Sequence, residues 1–442
     1  MAKKLVLIVV DGMTPATFER AVEGGRAPAL ALLAAHGSYR RATSVFPSLT
    51  PVCLSSIATG STPAVHHIPH LVWWHRGERR IVEYGSSFSA LRAAGMAQSL
   101  ADTIYNMNAE HLSRDTETIF ETLENDGLVT AAVNITCYRG HTKHLPTLQW
   151  VTKAAYGPKR FFYYSLFESD RTGAPLAVRN RAAGSIDVYA AAVGRWLVTR
   201  DGFDMLAYYL SDFDYASHAY GPEGAEDVAL ERTDAAIQAL IDSAGGGDAF
   251  FERYAVVLLS DHGQTHVSQA APLEAPLAAH ADSIVVTASN RAGQIYLLPD
   301  ARIDAGGIAR ALDGEPSVDV ALWREGDDAV ARRAREELRF RPGDDGWNTS
   351  GDASILDHPD ALHRAWQALA NPNAGEVLVS AAPDWEFVDL GGRHHAGGGS
   401  HGSLVEGDSI VPVVTAGIDA VIERITDVAP ALIDHALRTA VA

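Results

Sequence analysis

The chain has 442 residues, of which 47% are hydrophobic and 21% charged, and its formal net charge is −19. This is enough apolar material for a large buried core, whereas the acidic excess argues against broad binding to nucleic-acid polymers or anionic membranes, which depends on lysine and arginine. A phosphate-bearing substrate is compatible with this charge if bound metal reverses its sign locally.

The first predicted element is the apolar run from Leu5 to Val10, which we interpret as a buried strand. It is too short for the apolar region of a signal peptide, and Asp11 ends it directly. No later stretch approaches the roughly 20 apolar residues of a membrane span. The two cysteines, Cys53 and Cys137, argue against a disulfide framework. We therefore expect a cytoplasmic protein.

Short runs of β-branched or aliphatic residues recur along the chain. A strand covered on both faces lacks polar alternation, as in a parallel sheet. Such strands are predicted at Leu5 to Val10, Val129 to Ile135, Met205 to Leu210, Tyr254 to Ser260 and Ile410 to Thr415. A helix is predicted from just after Gly224 to Gly245. Alternating strands and helices predict an α/β fold with a doubly wound, mostly parallel sheet flanked by helices.

Two stretches, at about 62–110 and about 300–395, interrupt this alternation. The second includes a charged helix candidate from Asp327 to Leu338. We interpret both stretches as insertions or cap segments on one α/β domain that spans residues 1–442.

Polar residues follow several of the predicted strands, and ligands collect at the carboxyl ends of strands in open α/β sheets. Asp11 follows the first strand; taken alone it also fits a turn or a helix N-cap. Thr50 precedes Pro51, which suits a first helical position, so Thr50 is predicted as an N-cap. A hydroxyl there meets free backbone N–H groups and the positive end of the helix dipole. Ordinary capping is the alternative.

Three further segments carry metal-binding residue types. Asp214 and His218 are spaced so that both reach one ion from adjacent turns of a short helix or loop, and mixed oxygen and nitrogen ligands suit zinc or manganese. Asp261 and His262 end another apolar strand, where unpaired burial would be costly. His401 lies between glycines that let the backbone approach a ligand.

Together these residues predict two sites for divalent cations. One site comprises Asp11, Thr50, Asp261 and His262, and the other Asp214, His218 and His401. Asp212 is interpreted as solvated or as supporting a ligand. Ordinary surface positions are predicted for the other clustered histidines: His66, His67, His70, His266, His394 and His395.

This pattern resembles the type I phosphodiesterase and nucleotide pyrophosphatase branch of the alkaline phosphatase superfamily. Five motifs in order, over residues 5 to about 415, carry the resemblance: Asp11-Gly12; Thr50 with Thr59-Gly60 and His66; Asp214 and His218 before Tyr220-Gly221-Pro222; Ser260-Asp261-His262-Gly263; and Gly399-Ser400-His401-Gly402. The resemblance implies an alkaline-phosphatase-like domain and a hydrolase of phosphoric ester bonds. It also implies a small phosphoester substrate, and two divalent ions, zinc or alternatively manganese.

The chain departs from the family pattern near the nucleophile. Cys53 replaces an asparagine that donates to phosphate oxygen, and Leu49 replaces a common lysine. Phosphate binding must then depend on metals, on the backbone at Thr50 and on an unassigned donor. Sulfatase chemistry is disfavoured because neither Cys53 nor Ser48 is followed by the proline and arginine of that signature.

The resemblance and the residue chemistry together imply attack by Thr50 on phosphorus and a phosphothreonine intermediate. A phosphomonoesterase or a phosphonate hydrolase is the alternative within enzymes, since the same core serves all three. The alternative of another class is an inactive, metal-stabilised binding protein.

Overall fold

The computed structural model describes residues 3–147, 153–174 and 185–441. Within these ranges, the main sheet has eight strands: β1 (Lys4–Val10), β2 (Ser38–Thr43), β3 (Thr130–Val133), β4 (Arg160–Tyr163), β5 (Phe167–Ser169), β6 (Met205–Leu210), β7 (Tyr254–Leu259) and β8 (Ile410–Ala416).

The strand order across the sheet is β2-β8-β7-β1-β6-β3-β4-β5. The four pairs from β7 to β4 are parallel, and the three pairs nearer the edges are antiparallel. The predicted mostly parallel α/β fold is therefore confirmed. The predicted parallel direction of Ile410 to Thr415 is wrong, because β8 is antiparallel to both neighbours. The apolar composition of β8 reflects burial on both faces of the sheet and does not indicate whether the strand is parallel or antiparallel to its neighbours.

Alternate side chains of β1 pack on opposite faces of the sheet, which explains why the whole strand is apolar. Leu5, Leu7 and Val9 pack into one hydrophobic cluster, while the side chains between them pack into a second cluster on the opposite face. Successive side chains of a strand point to opposite faces, so a strand with helices on both sides needs apolar residues at every position.

Helices cover both faces. The α-helices are Pro15–Glu23, Pro28–His36, Thr50–Thr59, Pro63–His66, Phe88–Ala94, Met96–Ala101, Ile119–Asn125, Ile186–Thr199, Asp212–Val228, Leu230–Ser243, Gly247–Arg253, Ala305–Ala311, Ala361–Leu369, Glu406–Ser409 and Val428–Val441. A π-helix spans Asp102–His111, and 3₁₀ turns span Ala275–His280, Ala353–Leu356 and Ile425–Asp427. Among the described residues, none of these helices combines the length and apolarity needed to cross a bilayer.

The helix predicted from just after Gly224 is in fact two helices. The first starts at Asp212 and is kinked at Gly221, which has φ 78° and precedes Pro222. The second spans Leu230–Ser243. The predicted helix starts too late in the chain because glycine and proline usually mark a turn before a helix. Here Gly221 and Pro222 lie inside a helix and kink it.

A second sheet occupies much of the stretch after residue 283. Its seven strands in the described chain are all antiparallel, in the order Ile284–Ser289, Ala292–Leu297, Val377–Ala381, Val318–Glu325, Asp328–Arg333, Glu336–Gly343 and Gly346–Gly351. The charged helix predicted from Asp327 to Leu338 is therefore wrong. That segment is a hairpin whose turn residues, Ala334 and Arg335, have φ of 49° and 74°. Two consecutive left-handed residues form the tight turn that suits strand twist.

Four short pairs of strands complete the part of the chain that the structure describes: Val72–His75 with Arg80–Glu83, Thr142–His144 with Ala155–Gly157, Thr265–His266 with Gly399–Ser400, and Gln269–Ala271 with Trp385–Phe387. The third pair matters most here, because it joins the segment after β7 to the glycine-rich loop before His401.

Candidate active site

Three adjacent strands end at the same edge of the main sheet. Val10 of β1 is in register with Leu210 of β6, and Val9 with Leu259 of β7. The residues that follow these strands are brought together at this edge: Asp11, Asp214, His218, Asp261 and His262. Gly12 permits the close approach, since it has φ 70° and a Cβ there would lie 2.9 Å from Asp214 Oδ1.

Thr50 is the first residue of its helix, and Leu49 takes the N-cap position. The helix start has no side-chain capping hydrogen bond, so the Thr50 hydroxyl does not cap it as predicted. Thr50 Oγ1 instead lies 3.1 Å from His262 Nε2. The hydroxyl therefore faces the carboxylates and imidazoles of the sheet edge.

His401 reaches the same place from a distant part of the chain. Its ring stacks on His262 with centroids 3.6 Å apart and planes at 9°. Its Nε2 lies 3.9 Å from Asp214 Oδ1. The structure thus gathers the seven predicted site residues around one edge of the sheet.

Two groups of side chains have the spacing of metal ligands among the described residues. Asp214, His218 and His401 form one group, and Asp11, Asp214 and His262 form the other, with ligand atoms within 4.8 Å of each other in each group. Asp261 adjoins the second group, since its Oδ2 lies 3.6 Å from His262 Nε2. Asp214 is common to both groups, although the sequence placed it in only one.

The three imidazoles share one arrangement. The Nδ1 atoms of His218, His262 and His401 lie 2.8 to 3.0 Å from the backbone carbonyls of Gly399, Gly263 and Ser48. Because a carbonyl only accepts, each Nδ1 donates, and the neutral ring keeps its lone pair on Nε2. Each Nε2 faces the carboxylates, which is the orientation that metal-binding histidines adopt.

Two of the three carboxylates have a buried oxygen without a hydrogen-bond donor. Asp11 Oδ1 and Asp261 Oδ2 are buried and accept no hydrogen bond, although His262 Nε2 lies 3.2 and 3.6 Å away. Burial, followed by the charges of Asp214 and Asp261, raises the pKa of Asp11 well above its ordinary value. Burial and the charge of Asp214 raise the pKa of Asp261 to about 7. Bound cations would relieve this repulsion, so the residues present fit divalent metal.

In the group of Asp214, His218 and His401, the pKa values of the two histidines are shifted in opposite directions. Although burial opposes it, Asp214 raises the pKa of His218 to about 9. Burial, followed by the charge of His262, lowers the pKa of His401 well below its ordinary value. His401 thus stays neutral and able to ligate, and a cation near His218 would displace its proton.

Some residues at the site had no assigned role in the sequence analysis. Gln264 Nε2 makes a short hydrogen bond to Asp214 Oδ1, and Gln264 Oε1 accepts from Ser217. The Tyr209 hydroxyl donates to Asp11 Oδ2. Asn290 Nδ2 lies 2.9 Å from His401 Nε2. Gln264 directly follows the Ser-Asp-His-Gly motif, so its position in the sequence indicated that it lies near the site. Asn290 is not next to any of the motifs, and nothing in the sequence indicated its position.

His66, His70 and His395 were predicted at the surface but are buried or half-buried. His66 and His70 are fully buried, and His66 Nε2 lies 3.0 Å from Ser56 Oγ. His395 is half-buried, with Nδ1 3.0 Å from Glu386 Oε2 and its ring stacked on His218 at 4.1 Å. A single imidazole in a polar segment gives no sign of such long-range partners.

Asp212 is also not solvated. It is buried, and its carboxylate accepts from Ser185 Oγ and, at 3.1 Å, from the Ile186 backbone N–H. Asp212 therefore anchors the start of the helix Ile186–Thr199. Cys53, at the family's asparagine position, is buried with Sγ 3.3 Å from Ser44 Oγ. Its thiol faces the core and does not line the cleft.

A cleft of about 1140 Å³ opens from the site. Asp11, Thr50, Asp214, His218 and His401 form its floor. The walls combine hydroxyl-bearing, apolar and aromatic side chains, mainly from two segments: Leu71, Tyr84, Ser86, Ser87, Phe88, Ser89, Leu91, Thr103 and Met107, and then Arg393, His394 and His395.

A buried ion pair holds the His401 loop in place. Arg291 Nη1 lies 2.9 Å from Asp408 Oδ1, and both side chains are fully buried. The Arg291 backbone N–H donates to His401 O at 2.8 Å, and Asp408 Oδ2 accepts from the Ser403 N–H at 2.9 Å. The pair therefore braces both sides of the loop.

We expect Arg291→Met to lower the free energy of unfolding by about 3–5 kcal/mol, because it leaves a buried carboxylate without its cation. Urea denaturation measures this loss. The double variant with Asp408→Leu removes both charges and should recover much of it. A single variant that loses less than about 1 kcal/mol, the value of an exposed pair, would contradict a bracing role.

The chain is similar to a known protein family in sequence and to solved structures in fold. It matches the family described as type I phosphodiesterase / nucleotide pyrophosphatase over residues 5–404. No curated protein matched it.

Solved structures with the same fold include phosphonoacetate hydrolase from Sinorhizobium meliloti 1021 in complex with phosphonoformate, at 18% identity and TM-score 0.65, covering 99% of this chain and 96% of that chain. Murine ectonucleotide pyrophosphatase / phosphodiesterase 5 is similar at 13% identity and TM-score 0.62, covering 98% and 95%. At these identities the likeness shows the fold. The family match covers most of the length, so the chain belongs to the type I phosphodiesterase / nucleotide pyrophosphatase family, whose members are hydrolases of phosphoric ester bonds.

Proposed function

We propose that the chain is a metal-dependent phosphodiesterase or nucleotide pyrophosphatase with Thr50 as its nucleophile. The observation that carries the proposal is a cluster of three imidazoles and three carboxylates, of which Asp11 and Asp261 are buried. Each imidazole uses Nδ1 to donate to a backbone carbonyl, and the Thr50 hydroxyl lies 3.1 Å from His262 Nε2. Such a set is costly to bury without cations.

We assign Asp11, Thr50, Asp261 and His262 to one divalent ion, and Asp214, His218 and His401 to the other. The position of Asp214 between the groups lets its carboxylate contact either ion. Oxygen and nitrogen ligands in these numbers favour zinc, with manganese as the alternative.

In this scheme the Thr50 hydroxyl releases its proton to water, its oxygen forms a new bond to phosphorus, and the bond to the leaving group breaks. Water then hydrolyses the phosphothreonine. The helix that starts at Thr50 directs the positive end of its dipole at the transferred group. Bound divalent cations would lower the pKa of the attacking hydroxyl and of water and neutralise charge on the phosphoryl oxygens.

We also propose that the stretch at about 62–110 is a cap inserted into a single catalytic domain, because its residues form much of the cleft wall. The size of the cleft favours a phosphoester with a bulky group. A structure of the murine relative, of an inactive threonine-to-alanine variant, holds AMP, which agrees with a nucleotide-sized substrate here.

A substrate panel tests the proposal. Bis(p-nitrophenyl) phosphate, p-nitrophenyl phosphate and phosphonoacetate are compared on one zinc-loaded preparation with measured metal content. We expect kcat/KM for the diester to exceed the other two by at least about tenfold, or about 1.4 kcal/mol in the barrier. A preference for the monoester or for phosphonoacetate would instead assign phosphomonoesterase or C–P hydrolase activity to the same residues.

A further inference from the structure

The loop from Asp389 to His395 presents an arginine to the cleft. Asp389 Oδ1 accepts from the backbone N–H groups of Gly391 and Arg393 at 2.8 and 2.7 Å. Buried Glu386 accepts from both the backbone and the ring of His395. The backbone is therefore fixed immediately before and after the Arg393 side chain.

Arg393 is the one lysine or arginine among the residues that line the cleft in the described part of the chain. Its guanidinium is exposed and makes no hydrogen bond or ion pair there. Unlike Arg291 or Arg139, which are buried and paired, it has no structural partner to explain its position.

Arg393 also lies close to the site. His395 stacks on His218 at 4.1 Å between ring centroids, and two residues span at most about 7 Å of backbone. Arg393 therefore lines the cleft close to the group of Asp214, His218 and His401, in an otherwise strongly acidic protein.

We propose that Arg393 is a specificity residue that binds a second anionic group of the substrate, a phosphate or a carboxylate, separate from the phosphorus that is attacked. This inference rests on the proposed function. The planar guanidinium matches both groups with two parallel hydrogen bonds. In the proposed function the attacked phosphoryl group is held by the cations at the floor of the cleft, so an arginine on the wall suits a more distant charge.

The test uses three p-nitrophenyl alkyl phosphodiesters whose alkyl arms end in a methyl, a carboxylate or a phosphate group. Arg393→Gln should raise KM for a charged arm on the order of 10- to 100-fold, as expected for loss of a charge-assisted hydrogen bond. Turnover of the methyl arm should change less than about threefold. The charged arm whose KM rises in Arg393→Gln, carboxylate or phosphate, identifies the group that Arg393 binds.

Arg302→Gln is the matched control, because Arg302 is exposed and does not line the cleft. It should leave all three substrates unchanged. Equal losses on all three arms with Arg393→Gln, or no loss on either charged arm, would overturn the inference.

A binding measurement separates this inference from the proposed function. Calorimetry of the zinc-loaded protein compares methylphosphonate with 3-phosphonopropionate, and the wild type should prefer the latter. If no diester is hydrolysed but Arg393→Gln removes that preference, the proposed function fails and the specificity role stands. If the variant keeps the preference, or the wild type has none, the specificity role is wrong.

Discussion

Thr50→Ala is expected to lower kcat by about 10⁴- to 10⁶-fold, the range seen when a nucleophile is removed from an enzyme that forms a covalent intermediate. The physical reason is the position of the hydroxyl, 3.1 Å from His262 Nε2 at the start of a helix. No other described hydroxyl pairs such a contact with a helix start at the floor of the cleft. Steady-state assays with bis(p-nitrophenyl) phosphate measure the loss.

Metal content must be measured on the same preparation. In the proposed site Thr50 supplies only one of the ligand atoms, and the carboxylates and imidazoles remain, so the metal content of a zinc-loaded preparation should stay near the wild-type amount. Thr50→Ser keeps the hydroxyl and should retain most of the turnover. Turnover by the alanine variant at the wild-type rate would remove Thr50 from the mechanism, and loss of the metal would show that its role is ligation.

Asp214→Asn is expected to reduce both metal content and turnover more than any other single ligand change. Asp214 lies in both candidate groups, and although burial raises its pKa, the charge of His218 and the hydrogen bond to it hold that pKa low. The amide removes the charge that favours both cations and places an N–H group against them. Activity should fall by more than the ~100-fold that loss of an outer partner of a metal ligand costs.

His218→Gln and Asp261→Asn are the comparisons, since each residue belongs to one side of the cluster. Elemental analysis after dialysis should give about one metal ion per protein chain for His218→Gln and for Asp261→Asn, and fewer for Asp214→Asn. If Asp214→Asn retains two ions, its carboxylate does not serve both groups. Gln264→Met, which removes the hydrogen bond to Asp214 Oδ1 but keeps its volume, shows how far that contact positions the carboxylate.

The residues of the candidate site could be predicted from the sequence because several of them directly follow the ends of strands. Asp11, Asp261 and His262 come directly after apolar runs, and parallel strands bring such positions to one edge of the sheet. The motif order was compatible with a single family, and the family match confirms it. Patterns within a few residues were sufficient for these inferences.

Other features depended on contacts between distant segments. The direction of β8 follows from the path of the chain, because burial on two faces makes parallel and antiparallel strands look alike. The segment after Asp327 has the charge pattern of an exposed helix, and its pairing with strands that are adjacent in the second sheet makes it a hairpin. His395 gained its role only from Glu386 and His218.

The sequence by itself determined the fold class, the family and the identity of the polar residues at the strand ends, since periodicity and short motifs are local properties of the chain. Only the tertiary structure decided that Asp214 lies between two groups, that Cys53 faces the core and that Arg393 stands unpaired on the cleft wall. The physical reason is that charge balance and side-chain direction at a site depend on atoms contributed by segments hundreds of residues apart, which no local pattern encodes.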